Sequence, residues 1–250
     1  MIVTICFFFC FTYFVQAQAD KLPLGANELL NNLNNKDMNT LLVKKVKNKD
    51  WKASELSETF DKEKIPFHAI SNVNWSEYPY KPDVKFRIAH DGKNILLNYQ
   101  VEESDIKAVS GEDNGKIWED ACVEFFVTFD NESYYNIECN CIGKLLAGTG
   151  AGRQSRKHVT AELLNHIDRW SSLGYLPLEN KSGKWELSLV IPIDVFILNQ
   201  LDSLDGLQAK ANFYKCGDKL KTPHFLSWNP IKTERPDFHL PQYFGEIRFE

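Results

Sequence analysis

From Pro66 to the C-terminus, the chain consists of short segments in which every second residue is apolar, and turn residues separate these segments. One pair of segments, 84–88 and 95–101, flanks Asp91-Gly92, a dipeptide typical of a tight hairpin turn. Because successive side chains of a strand point to opposite faces, each segment can bury one face. The pattern predicts an all-β fold, a jelly-roll-like β-sandwich of two antiparallel sheets.

The same alternation predicts the remaining strands, and one helix is expected between them. Thr160 is a suitable N-cap for a helix that would continue through Leu163, Leu164, Ile167 and Trp170. The further predicted strands are 121–129, 135–141, 185–191 (ended by Pro192), 211–215, 225–228 and 245–249.

Two adjacent predicted strands carry carboxylates on the face opposite the apolar row, at Glu124 and Glu138. Paired carboxylates can serve a glycosidase as acid and base. A glycosidase acid normally lies in a deep, partly apolar cleft, and we expect these two side chains on an outer sheet face without a cleft. The expectation is therefore that the chain is not an enzyme.

The first residues resemble an export signal. An apolar run over 2–15 precedes Ala17-Gln18-Ala19, the small-x-small pattern of a signal peptidase site. The run falls short of the roughly 20 apolar residues that span a membrane. We predict a signal peptide at residues 1–19, cleaved after Ala19, and a secreted, periplasmic or cell-surface protein. An uncleaved tether or lipid anchor is the alternative.

Residues 20–65 lack a sustained apolar period and include an Asn-rich stretch over 31–37. They are interpreted as a polar spacer with short helical pieces around 28–33 and 54–60. The sandwich domain is accordingly assigned to residues 66–250.

Outside the leader, which contains Cys6 and Cys10, the cysteines show no CxxC pair and no His at zinc-finger spacing. This spacing argues against a zinc site. The remaining thiols could pair as disulfides in an oxidising compartment or act as small buried apolar side chains. They belong to Cys122, Cys139, Cys141 and Cys216.

Composition excludes several other classes of function. A net charge of -5 argues against nucleic-acid binding, which requires a basic face. Met1 and Met38 are the sole methionines, so a Met/His haem site in the sandwich is excluded. The glycine-rich 148–152 lacks the Lys-Ser/Thr ending of a phosphate loop. Acidic clusters could hold calcium or remain solvated loop charges, and they lie at 102–105, 112–113 and 130–132.

Four motifs in succession carry a resemblance to a known family. They are Trp-Glu-Asp-Ala-Cys-Val-Glu-Phe-Phe at 118–126, Tyr-Asn-Ile-Glu-Cys-Asn at 135–140, Phe-Leu-Ser-Trp at 225–228 and Phe-Gly at 244–245. The chain resembles the family 9 carbohydrate-binding modules over roughly residues 67–250. The resemblance implies a β-sandwich that binds sugars without catalysis, often beside structural calcium.

The resemblance also implies a site. Two aromatic residues that sandwich a terminal sugar in the family correspond to Trp118 and Phe238, and the family glutamate that binds sugar hydroxyls corresponds to Glu124. Three further polar positions correspond to residues that differ from the family pattern, namely Glu138 in place of Arg, Tyr214 in place of Gln and Arg235 in place of Asn. Aromatic faces for sugar C–H groups and polar groups for hydroxyls are consistent with this chemistry.

We therefore expect a secreted, non-catalytic module that binds an oligosaccharide or polysaccharide in glycan capture or degradation. One alternative is an accessory component that acts together with O-glycosyl hydrolases or other glycan-degrading proteins. Another is a protein-interaction sandwich without a sugar site, which a buried Trp118 would favour.

Overall fold

The structure, a computed structural model, describes residues 38–250, and fourteen strands form its main regular elements. The strands are β1 (Thr40–Lys45), β2 (His68–Ala69), β3 (Asn72–Val73), β4 (Asp83–His90), β5 (Asn94–Ala108), β6 (Cys122–Thr128), β7 (Tyr134–Asn140), β8 (Leu145–Gly150), β9 (Lys157–His158), β10 (Asp168–Ser171), β11 (Leu178–Pro192), β12 (Gln208–Cys216), β13 (Phe225–Ser227) and β14 (Gly245–Phe249). The helices are short: α1 (Leu56–Lys62), α2 (Ala161–Leu164) and the 3₁₀ turns η1 (Ala53–Glu55), η2 (Ile117–Glu119), η3 (Ile193–Val195) and η4 (Pro241–Tyr243).

The strands form two facing sheets, which confirms the predicted β-sandwich. Sheet A has the order β1-β14-β12-β6-β7-β8-β9, with β13 beside β12 and β3 beside β13. Sheet B has the order β10-β11-β5-β4, with β2 and the end of β1 beside β4. Adjacent strands run antiparallel except at β1, which lies parallel to β14 through Thr40–Val43 and parallel to β4 at Lys44 and Lys45. Strand β1 thus joins the two sheets at one edge.

The apolar rows read from the sequence fill the space between the sheets. Phe125 of β6 and Phe213 of β12 are fully buried, and the Phe213 ring stacks on Phe86 of the opposite sheet at 3.7 Å between centroids. Burial of one such side chain contributes about 1.5–3 kcal/mol. The core therefore fixes the register of sheet A, and with it the side chains that point to the other face.

The predicted inserted helix is shorter than its sequence pattern indicates. Thr160 is the N-cap, with Oγ1 accepting from the Leu163 amide at 3.4 Å, but α2 ends at Leu164. Trp170, predicted in the helix, lies in β10 and pairs with Ser188 of β11. Cross-strand pairing outweighs the helical spacing of the apolar residues here.

Strand β8 has no counterpart among the predicted strands, because its sequence of small residues does not resemble a strand. It pairs with β7, and Gly148 lies opposite Asn136. A Cβ on Gly148 would meet the Asn136 Oδ1 at 2.9 Å, closer than real contacts allow. A glycine therefore permits the close approach of the two strands at this position.

The folded unit begins well before Pro66. Asn39–Glu250 forms one compact unit, in which β1 is part of both sheets and α1 covers the outer face of sheet B. Leu56 and Phe60 of α1 are completely buried there. The part of the predicted spacer from Asn39 onward is thus structural, because its few apolar residues meet partners that are distant in sequence.

The predicted signal peptide, the early helical piece around 28–33 and Cys6 and Cys10 lie outside the described residues. Within residues 38–250, no helix is long and apolar enough to cross a membrane. The four cysteines of the sandwich have free, buried thiols in this structure. Cys139 and Cys141 point into the core, whereas Cys122 and Cys216 point to the other face of sheet A.

Candidate ligand-binding site

The outer face of sheet A is covered by a second apolar layer. Phe126 and Tyr214 project outward from β6 and β12, and loop residues such as Trp75, Phe238 and Phe244 pack over them. The expectation that Glu124 and Glu138 lie on an open face without a cleft is therefore wrong. The proline-containing segment 229–244 folds back over the sheet and buries part of that face.

A cavity of about 190 Å³ opens between this layer and the sheet. It combines buried acids from the sheet, aromatic side chains and charged residues at the rim. The lining residues are Trp118, Glu124, Glu138, Leu146, Arg153, Arg156, His158, Cys216, Asp218, Phe225, Pro236, Asp237, Phe238 and His239.

A larger hollow of about 490 Å³ lies over β1, β12 and β14. None of its charged side chains, Lys210, Glu246 and Arg248, is buried. The smaller cavity is the candidate site, because it brings buried ionisable groups and aromatic surfaces together in a concave space.

Glu124 and Glu138 lie opposite each other in the β6–β7 register, and both are buried at the cavity. The Cys216 thiol donates to Glu124 Oε1 at 3.0 Å, and the Asn136 amide donates to Glu138 Oε1 at 3.0 Å. Burial, followed by the charge of Glu138, raises the pKa of Glu124 well above its usual range, and burial raises the pKa of Glu138 to about 7. The pair can therefore both donate and accept hydrogen bonds near neutral pH.

Trp118 lies in η2 at the edge of the cavity and is half-buried. Its carbonyl accepts a hydrogen bond from the Asp218 amide at 3.1 Å, which ties η2 to the segment after β12. Phe238 is more enclosed, with 8% of its surface exposed. Trp118 is thus the more accessible of the two predicted aromatic faces.

The structure brings four of the six predicted residues to the cavity, and places the other two elsewhere. Tyr214 is fully buried behind Phe238, and its hydroxyl donates to the Phe238 carbonyl at 3.2 Å. Arg235 is exposed and does not line the cavity. Tyr214 therefore supports an aromatic residue of the site, and the contact expected of Arg235 has no support in this arrangement.

Several lining residues were missed by the sequence analysis. Arg153 and Arg156 come from the segment between β8 and β9, and Arg153 Nη1 lies 3.7 Å from Asp237 Oδ1. His239 packs on Phe126, and burial together with Arg156 and Arg153 lowers its pKa to about 3. The basic residues that follow the glycine-rich stretch were visible in the sequence. No local pattern, however, indicated that this segment lines the cavity.

The acidic clusters considered for calcium make protein contacts. Asp130 accepts from the Glu132 and Ser133 amides, and Asp105 accepts from the Lys221 amide at 2.6 Å. Asp113 pairs with Arg169 at 2.8 Å. Calcium binding stays a prediction.

This combination of a β-sandwich with a small cavity of aromatic, carboxylate and guanidinium groups defines a ligand-binding module. The sequence profile described as carbohydrate-binding family 9 matches residues 54–249. The chain belongs to carbohydrate-binding family 9. This membership confirms the resemblance seen in the sequence.

Solved structures agree with this membership. A structure of a candidate carbohydrate-binding protein from Bacteroides uniformis is 49% identical, with a TM-score of 0.83, and the match covers 85% of this chain and 100% of that one. A family 9 module from Caldicellulosiruptor kristjanssonii in complex with glucose is 14% identical, with a TM-score of 0.53, over 85% and 96% of the two chains. Its complex with cellotriose is 12% identical, with a TM-score of 0.53, over 85% and 94%. Among curated proteins, none matches the chain significantly.

Proposed function

We propose that this protein binds a carbohydrate, without catalysis, in the cavity beside Trp118. The observation that carries the proposal is the half-buried Trp118 beside the buried Glu124 and Glu138 in one small concave space. A sugar ring has an apolar C–H face, which stacks on an aromatic ring, and a rim of hydroxyls, which bind to carboxyl and guanidinium groups.

The size of the cavity favours a single sugar ring. Its volume of about 190 Å³ lies below the roughly 300–1,000 Å³ of cavities for drug-sized ligands. The relatives solved with glucose and cellotriose support gluco-oligosaccharides as the first ligands to test. Because Arg153 and Arg156 line one side, sugars with additional polar substituents belong in the same panel.

The biological role is proposed as glycan capture or degradation outside the cytoplasm, together with glycan-degrading proteins. The predicted signal peptide over residues 1–19 supports export, and membership of a family of binding modules supports a role beside separate catalytic proteins.

The proposal is tested by calorimetric titration of the mature protein against a panel of oligosaccharides, with Trp118→Ala and a control variant. Trp170→Phe is the matched control, because Trp170 is another half-buried tryptophan but lies in β10 of sheet B. Stacking on an aromatic ring contributes about 1–3 kcal/mol, so we expect Trp118→Ala to bind about tenfold more weakly or worse. The control should bind like the wild type.

Absence of binding by the wild type across the panel, or equal binding by Trp118→Ala, would contradict the proposal. Two further arms test the associated predictions. Incubation of the protein with each ligand should release no new reducing ends, which checks the absence of hydrolysis. Repeating the titration after chelation, and again after Ca²⁺ alone is added back, shows whether calcium contributes to binding.

A further inference from the structure

Two cysteines from distant parts of the sequence meet a glutamate beneath the cavity. Cys122 of β6 faces Cys216 of β12 in the strand register, and Glu124 lies two residues along β6 on the same face. All three are buried, and their ligand atoms lie within 4.8 Å of one another. Among residues 38–250, no other group of three His, Cys, Asp or Glu side chains meets this condition.

The spacing fits a metal ion. With Zn–S bonds of about 2.3 Å and tetrahedral angles, two thiolate ligands lie about 3.8 Å apart. The Cys216 Sγ is 3.0 Å from Glu124 Oε1, and both thiols are free. A cation could replace the protons of this cluster with small movements of the side chains.

A second carboxylate on the neighbouring strand and an access route are also present. Glu138 lies directly opposite Glu124, is 4% exposed, and its Oε2 has no hydrogen-bond partner. An unpaired buried carboxylate oxygen is costly, and the charge of a cation bound nearby would offset part of that cost. Because Cys216, Glu124 and Glu138 all line the cavity, an ion can enter from solvent.

We propose that Cys122, Cys216 and Glu124 bind one thiophilic divalent cation, with Zn²⁺ as the preferred ion and Glu138 on the neighbouring strand. Two thiolates and a carboxylate select a borderline-soft ion over Ca²⁺ or Mg²⁺, which prefer oxygen ligands alone. The sequence spacing argued against zinc because Cys122 and Cys216 lie about 90 residues apart in the chain, on two different strands. The strand register brings them together.

The proposal is tested with Co²⁺ as a spectroscopic probe, on the mature protein isolated without reductant and in the absence of sugar. We expect one Co²⁺ per chain, with a thiolate-to-cobalt charge-transfer band and the intense visible bands of tetrahedral coordination. Added Zn²⁺ should displace Co²⁺ and thereby remove both the charge-transfer band and the visible bands. Cys122→Ser and Cys216→Ser should abolish the charge-transfer band, and Glu124→Gln should weaken Co²⁺ binding at least tenfold.

Cys139→Ala is the matched control, since Cys139 is also buried in sheet A but points into the core. It should retain the spectrum of the wild type. If a serine variant fails to fold, the melting temperature provides a second test. Zn²⁺ should raise the melting temperature of the wild type, and this rise should be smaller in Glu124→Gln. A disulfide between Cys122 and Cys216 in the isolated protein, absence of the cobalt spectrum, or its persistence in both serine variants would overturn the proposal. Because no sugar is used, none of these results bears on carbohydrate binding.

Discussion

The ring of Phe238 stacks on that of Tyr214, with centroids 4.1 Å apart and planes 7° from parallel. Tyr214 lies on sheet A and is fully buried, whereas Phe238 belongs to the loop that lines the cavity. The stack, with the hydrogen bond from the Tyr214 hydroxyl to the Phe238 carbonyl, attaches one wall of the cavity to the rigid sheet. A fully buried residue thereby positions a residue that lines the cavity.

This relationship predicts different effects for two variants of Tyr214. Tyr214→Leu removes the stacked ring, and we expect sugar affinity to fall several-fold because Phe238 loses its support. Tyr214→Phe keeps the ring and loses one hydrogen bond, so affinity should hold while the free energy of unfolding falls by about 1 kcal/mol. Calorimetric titration and urea denaturation measure the two quantities. Equal sugar affinity in both variants would show that the stack does not position Phe238 for binding.

The two arginines of the segment between β8 and β9 are expected to contact the ligand. Arg156 lines the cavity and is half-buried, so Arg156→Gln should weaken sugar binding about tenfold through loss of a charge-assisted hydrogen bond. Arg235→Gln is the matched control, because Arg235 is exposed and outside the lining. The sugar affinity of the Arg235→Gln variant should stay within about twofold of the wild-type affinity. A larger loss of sugar affinity in Arg235→Gln than in Arg156→Gln would favour Arg235, the position inferred from the family resemblance.

A buried ion pair joins the two sheets at another place. Lys215 Nζ of β12 lies 2.9 Å from Glu103 Oε2 of β5, and both side chains are completely buried. Glu103→Gln can still accept from the Trp185 indole, at 2.7 Å in the wild type, but leaves the ammonium without a counter-charge. We expect a loss of about 3–5 kcal/mol in the free energy of unfolding.

Lys215→Met should cost a similar amount, since it leaves Glu103 unpaired. The double variant with Glu103→Gln should lose less than the sum of the two single losses, because neither charge is then left alone. Urea denaturation of the four proteins measures this coupling. Additive losses would mean that the pair contributes no net interaction.

His224 makes stability depend on pH. Burial, and secondly the charge of Lys215, lower its pKa to about 3, and Lys215, Glu103 and Tyr80 are the ionisable groups that face its ring. Above about pH 6.5 the imidazole is neutral in the folded and unfolded states. Below that value the unfolded state binds a proton that the folded state excludes, so acidification lowers stability, down to about pH 3.

The prediction is measured as the difference between the wild type and His224→Gln, which cancels the titration of the other groups. As the pH falls from about 6.5 to about 4.5, we expect the wild type to lose roughly 1 kcal/mol per pH unit relative to the variant. Denaturant titrations at several pH values give this difference. A difference that does not change with pH would show that His224 binds a proton as readily in the folded state as in the unfolded state.

The sequence by itself determined several of the strands and their faces. Alternation is a local property, so the apolar rows of β5, β6 and β12 and the outward direction of Glu124 and Glu138 follow from residues two apart. The motif around Trp118 likewise identified one side of the cavity, since it depends on consecutive residues.

Only the tertiary structure decided what covers those outward faces. The burial of Glu124, the meeting of Cys122 with Cys216 and the approach of Arg156 all depend on segments far apart in the chain. The role of β1 at the edge shared by both sheets has the same origin. Such contacts result from the packing of complete sheets and loops, and no local pattern of apolar residues encodes them. Because of these contacts, the sheet face that was expected to be open is an enclosed site.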